Sequence, residues 1–306
     1  MLQQYKHQFL LHLTIFIWGF TGILGKLIHL DPIVIVWYRV IIAAIGLFAY
    51  IKYTKLPYLI RDKKQLFYLL IVGVITSLHW ITFYQTIAMS TASLGILCLS
   101  TVTLHVTWLE PLIMKKKFSW SEFAMGLIVI FGIYYVSTDL KVEEMGALAM
   151  GLVSAFLAGV FSVANAKLSQ KIATPLITFY EMIVGALFIS ILLASTNKLT
   201  PEFLSMTTSD FWWLIFLGLV CTSFAFVTII NVVKHLGAFT VSLSVNLEPV
   251  YTIILAIFIL NEHELVGPKF YVGATIIILT VAGNALLKAY SSKKASIVNS
   301  EANCDN

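Results

Sequence analysis

The chain has 306 residues, 59% of them hydrophobic and only 11% charged, with a mean hydropathy of +0.91 and a formal net charge of +5. A soluble domain carries about 25% charged residues, so this composition excludes a water-soluble globular protein and makes lipid the solvent for most of the chain. The three cysteines, Cys98, Cys221 and Cys304, include no C-x-x-C pair, which argues against a disulfide framework and a zinc site.

In chain order, ten apolar runs meet the roughly 20 residues that a bilayer core demands. They cover 9–29, 32–52, 66–87, 91–114, 119–138, 146–168, 175–196, 211–233, 237–260 and 266–287. The first is too long for the apolar part of a secretory signal and lacks a small-residue cleavage site, so no such signal is expected. A membrane-spanning backbone must bond to itself, as a helix or a closed barrel. Barrel strands alternate apolar and polar residues over about ten positions, whereas these runs are continuous. The expectation is an all-α integral membrane protein of ten transmembrane helices, followed by a solvated cytoplasmic tail over 289–306.

Lysine and arginine orient the chain. Fifteen of the 20 fall on one side, in groups such as Lys52–Lys64, Lys115–Lys117 and Lys288–Lys294. Three, Lys141, Lys198 and Lys269, fall on the other, and Lys26 and Arg39 lie within runs. Basic loops stay cytoplasmic, so both termini are expected inside, in a multi-pass protein of the cell (inner) membrane. The basic loops alternate with the spans. Topology and anionic lipid headgroups therefore explain them better than nucleic acid does, and no nucleic-acid partner is expected.

The chain also resembles itself. "GFTGILGKL" (19–27) is similar to "VFSVANAKL" (160–168), "PIVIVWYRVIIAAIG" (32–46) to "PLITFYEMIVGALFI" (175–189), and "SEFAMGLIVIFGI" (121–133) to "PKFYVGATIIILTV" (268–281). The offsets are 141, 143 and 147. Five spans per half would invert the second copy relative to the first, giving two inverted-topology five-helix repeats over 9–138 and 146–288. Such repeats typify secondary transporters with a midplane site between the halves.

"FIWGFTGILGK" in the first run and "NLEPVYTIILAIFILNEHE" in the ninth resemble the EamA-type drug/metabolite transporter superfamily over residues 10–288. The resemblance implies an inner-membrane carrier, often an exporter, of small metabolites or drugs. One departure is plain: "MKKKFS" stands in the first half where "LNEHEL" stands in the second.

Polar residues inside the runs are the candidate site, because membrane-buried charges face cavities or partners. Two Glu–Pro pairs fall in apolar runs. Glu110 lies five residues before Lys115, near the interface, and reads as structural. Glu248 lies fourteen residues from both Lys234 and Glu262, at mid-depth, where Pro249 should kink the helix. Glu248 is therefore the candidate substrate or proton contact; the competing reading is an ion pair with Lys26 or Arg39. Trp18, His79, Trp80, Tyr84, His105, Asn165 and Asn246 lie at similar depth and complete the expected substrate-binding set. A histidine exchanges protons near neutral pH, though one alone often only packs. Arg39 and Glu181 read as structural anchors, and Gly19, Gly22 and Gly25 mark a thin face for a neighbouring helix. No catalytic signature, metal-ligand pattern or phosphate-binding loop is present, so no catalytic residue, metal or cofactor is assigned. The expected function is secondary transport by alternating access, with lipid and a small-molecule substrate as partners. Proton coupling and a homodimer remain open. The alternative is an integral-membrane enzyme acting on a lipid-linked substrate through His79 and Glu248.

Overall fold

Lipid leaves a spanning backbone no outside hydrogen-bond partner, and the computed structural model of the protein is helical wherever the chain is apolar. It describes residues 2–138, 140–236, 244–245, 247–280 and 282–283. The apolar helices are α1 (Leu2–Leu27), α2 (Pro32–Tyr53), α3 (Lys63–Met89), α4 in two pieces (Ala92–Leu99 and Val102–Met114), α5 (Trp120–Ser137), α6 (Met145–Leu168) and α7 (Thr174–Ser195). The next, α8, begins as α-helix (Thr208–Ile215), passes through a π-helical stretch (Phe216–Phe224) and resumes as α-helix (Ala225–Leu236). α9 (Glu248–Leu260) and α10 (Pro268–Thr280) complete the set. Among the described residues, eight segments are long and apolar enough to cross a membrane, and α9 and α10 are shorter apolar helices. The expected tail, 289–306, and Asn246 lie outside the described residues.

Local chemistry sets the helix ends. Asp31, Asp62 and Thr91 each accept a backbone N–H at the start of α2, α3 and α4, satisfying donors that a helix leaves free. Thr207 and Asp210 form a reciprocal capping box at the start of α8.

The helix ends also carry the duplication at atomic detail. Among the described residues four non-glycine residues have positive φ: Lys55, Lys115, Asn197 and Asn261. They form two pairs, 142 and 146 residues apart. At the end of α2, Leu56 N–H donates to Ile51 O (3.2 Å) and Thr54 Oγ1 to Tyr50 O (2.8 Å). At the end of α7, Lys198 N–H donates to Leu193 O (2.8 Å) and Thr196 Oγ1 to Leu192 O (2.8 Å). Both are Schellman-type closures, in which a left-handed residue lets the chain satisfy the last carbonyls. The second piece of α4 and α9 each have 13 residues, and each ends on a left-handed residue, Lys115 and Asn261.

Packing exchanges the halves. α3 runs along α6 and α7, while α8 runs along α1 and α2. α2 lies on α7, and the first piece of α4 lies on α9. One buried apolar cluster joins α1, α2 and α3 to α7 and α8; a second joins α4, α5 and α6 to α9 and α10. Gly19 allows the close approach of α1 to α9: a Cβ there would sit 3.3 Å from Thr252 N, and Thr252 Oγ1 donates to Gly19 O at 3.0 Å. Gly22 likewise faces Thr252, whereas Gly25 faces Tyr84 and Ile87 of α3. The thin face of α1 therefore serves two neighbours.

Candidate substrate cavity

A cavity of about 420 Å³ lies between the two halves. Its walls come from Trp18 and Thr21 of α1, Arg39 of α2, and His79, Trp80 and Phe83 of α3. Ser100, in the break of α4, adds a hydroxyl next to Thr103. α6 supplies Phe161 and Ser162, α8 supplies Phe226, and Glu248 and Pro249 enter from the first turn of α9. The result is an aromatic chamber with one guanidinium, one carboxylate and a few hydroxyls.

Arg39 is held rigidly. Its Nε donates to Thr222 Oγ1 at 3.0 Å, its NH1 donates to Tyr84 OH at 3.4 Å, and its guanidinium carbon stands 4.0 Å above the Trp80 ring. Thr222 Oγ1 passes its own hydrogen to Leu217 O, five residues back within the π-helical stretch. Tyr84 OH donates to Thr21 O at 3.5 Å. Each hydroxyl thus donates to a carbonyl and accepts from Arg39, so the buried charge meets acceptors and an aromatic face rather than hydrocarbon.

Glu248 is the only acidic residue of the cavity wall among the described residues. The kink expected at Pro249 turns on residues 237–243 and 246, which lie outside the described residues. Pro249 occupies the first turn of α9, where its missing N–H interrupts no hydrogen bond. The same start puts Glu248 at the positive end of the helix dipole. The competing reading, an ion pair with Lys26 or Arg39, is not what the structure holds: the ion pairs among the described residues are His29–Asp210 and Lys116–Glu110. Lys26 instead donates to Ser90 O at 2.6 Å. Glu110 meets Lys116 Nζ at 2.7 Å, so this Glu–Pro pair belongs to the end of α4.

The other expected site residues divide. Trp18, His79 and Trp80 line the cavity with Glu248. His79 Nδ1 lies 3.0 Å from Ser154 O and 2.9 Å from Ser154 Oγ, and that hydroxyl donates to His79 O, so the ring is pinned to α6. Tyr84 is buried behind the wall and reaches the cavity only through Arg39. His105 packs its ring on Phe156 and Trp108, between α4 and α6. Asn165 is off the wall too, with its Oδ1 buried and without a hydrogen-bond partner among the described residues. Tyr84, His105 and Asn165 do not line this cavity: depth alone does not say which way a side chain faces.

The model of the EamA-like transporter family matches residues 6–138 and again 145–286. The chain belongs to the EamA-like transporter family. No curated protein matches it. One solved structure, described only as "Crystal structure of protein", aligns over 93% of this chain and 98% of its own, with a TM-score of 0.65 and 14% identity. At that identity the likeness concerns the fold alone.

In this EamA-like chain hydrogen bonds tie the helix ends together at one end of the bundle. Glu262, 1% exposed and just beyond α9, accepts Ala92 N–H (2.7 Å) and Ser93 N–H (3.0 Å), capping the first piece of α4 from the other half. Ser90 Oγ donates to Glu144 (2.8 Å), and Asp210 accepts His29 N–H (2.9 Å). Together with Lys26 these bonds tie the adjoining ends of α1, α3, α4, α6, α8 and α9. Arg39 is the cavity residue that sequence reading set aside as an anchor. A cation inside an apolar run was the available signal. Thr222, Phe161 and Phe226 carried none, because hydroxyls and aromatics are ordinary in such runs.

Proposed function

We propose that the protein is a secondary transporter of small metabolites or drugs, working as an exporter in the inner membrane by alternating access and not as an enzyme. Ten spans, both termini cytoplasmic, form two inverted repeats over 9–138 and 146–288. The observation that carries this reading is the cavity itself. Its walls come from both repeats, with Arg39 from the first and Glu248 from the second. The family match supports transport as its purpose. The reciprocal packing of α3 on α6 and α7, and of α8 on α1 and α2, supports an inverted duplication. The seal formed by Lys26, Ser90 and Glu262 lies at helix ends that the positive-inside pattern puts outside. Closure there suits the inward-facing half of a transport cycle.

Trp18, Trp80 and Arg39 offer flat and cationic contacts to cargo, Glu248 an anionic one, and His79 orders the wall. The test is uptake into proteoliposomes, screened over amino acids, nucleosides and cationic drugs, with and without a pH gradient. Saturable uptake that Glu248→Gln removes supports the reading. Gradient-independent leakage of every compound, unchanged in Glu248→Gln, contradicts it.

A further inference from the structure

The connection between α2 and α3, residues 54–62, is basic and apolar at once. Lys52, Lys55, Arg61, Lys63 and Lys64 stand on or beside it, and all five are exposed. None of them enters an ion pair among the described residues. The one acid between them, Asp62, instead accepts the Lys64 and Gln65 N–H groups at the start of α3 (2.8 and 3.3 Å). Amid these cations Tyr58 and Leu59 are 48% and 65% exposed. Apolar side chains among unpaired cations suit neither water nor the bilayer core, but the boundary between the two.

The connection is nonetheless fixed in place. Leu56 and Ile60 pack against a buried apolar cluster that includes Ile51, Leu69 and Ile177. Tyr180 OH of α7 donates to Tyr58 O (2.9 Å) and accepts Ile60 N–H (3.4 Å). Lys55 closes α2 in the left-handed region, and Pro57 fixes its own φ. Tyr58 and Leu59 are thus presented outward by a backbone held on both sides of them. Lys52 Nζ lies 4.7 Å from the Tyr58 ring and 5.4 Å from the Phe48 ring, a cation among aromatic rings where α2 ends. We infer that residues 54–62 and their flanking lysines form a docking site for an anionic phospholipid, whose phosphate meets the cations and whose apolar part meets Tyr58 and Leu59. Charge complementarity names the headgroup. Leu59 distinguishes a lipid from a free anion, and exposed Phe48 and Phe67 continue the apolar surface along α2 and α3. A bound headgroup relieves repulsion among the five cations and holds the connection on Tyr180, and with it α2 and α3 on α7. The site is separate from the cavity and independent of its cargo; only its leaflet, the inner one, rests on the topology proposed above.

The experiment titrates the full-length protein in detergent with phosphatidylglycerol, phosphatidylcholine or inorganic phosphate. Native mass spectrometry counts the lipids retained, and the melting midpoint is followed alongside. Phosphatidylglycerol is expected to be retained and to raise the midpoint, and the other two to do neither. Lys55→Gln combined with Arg61→Gln should weaken phosphatidylglycerol binding by roughly tenfold or more, and Leu59→Ser should weaken it severalfold. All three residues are exposed, so the lipid-free midpoint of these variants should stay where it is. Lys293→Gln combined with Lys294→Gln removes the same charge from the polar tail and should leave binding unchanged. Equal loss in the two double variants overturns the site, because attraction would then follow net charge alone. Equal retention of the two lipids overturns it as well, and so does inorganic phosphate raising the midpoint as far as phosphatidylglycerol does.

Discussion

Glu110 and Glu248 have the same chemistry and the same following proline, and their surroundings divide them. Glu110 is partly exposed and paired with Lys116, a surface pair worth about 0–1 kcal/mol. Glu248 opens α9 on the cavity wall with no ion-pair partner among the described residues. Glu248→Gln is expected to lower transport by about tenfold or more, the loss of one charge-assisted contact, at equal protein level in the membrane. Glu110→Gln should keep most activity. Equal loss in both would show that surroundings do not separate them. Arg39 is expected to tolerate no substitute. Lysine cannot offer Thr222 and Tyr84 the fork or lay a plane on Trp80, so Arg39→Lys should lose both transport and roughly 2–3 kcal/mol of stability. Melting of the purified protein in detergent reads the second effect, and an unchanged midpoint would contradict the anchoring.

The sequence located the long helices well and their faces poorly. Runs such as 32–52 and 175–196 coincide with α2 and α7 almost residue for residue, because lipid enforces helix over the full apolar length. Facing is another matter. α3 and α6 are apolar all round, so nothing in their periodicity separates His79, on the wall, from Asn165, behind it. The breaks were half legible. Pro249 announced an irregularity, and it stands in the first turn of α9. Ser100 and Thr101, between the pieces of α4, have no such marker. Glu262, just beyond the end of α9, holds the start of α4. Glu262→Ala should cost about 1–2 kcal/mol, as lost helix caps do. It should also admit a membrane-impermeant maleimide to a cysteine placed at Ser100 from the sealed side. Continued protection of that cysteine would show that Glu262 does not keep the seal.

For the molecule as a whole, the positive-inside pattern predicts which loops face out. Single cysteines at Lys141 and Lys198, in a chain stripped of its own three, should react with an impermeant reagent on intact cells, and cysteines at Lys116 and Lys171 only after permeabilisation. Labelling of Lys141→Cys only after permeabilisation would reverse or break the ten-span order.

The π-helical stretch of α8 acts as a phase shifter. A π turn takes one residue more than an α turn, so Phe216–Phe224 holds surplus length, and everything beyond it is rotated relative to an uninterrupted helix by about 100° per extra residue. Thr222 and Ser223 close their hydroxyls on carbonyls five residues back, and that winding turns Thr222 toward Arg39. The spare residue thus works as a timing mark: remove it, and both ends of α8 keep their composition and depth while Phe226 swings off the cavity wall and Arg39 loses its Thr222 acceptor. A deletion of Val220 alone would test whether the chamber is set by which residues α8 contains or by the angle at which it presents them.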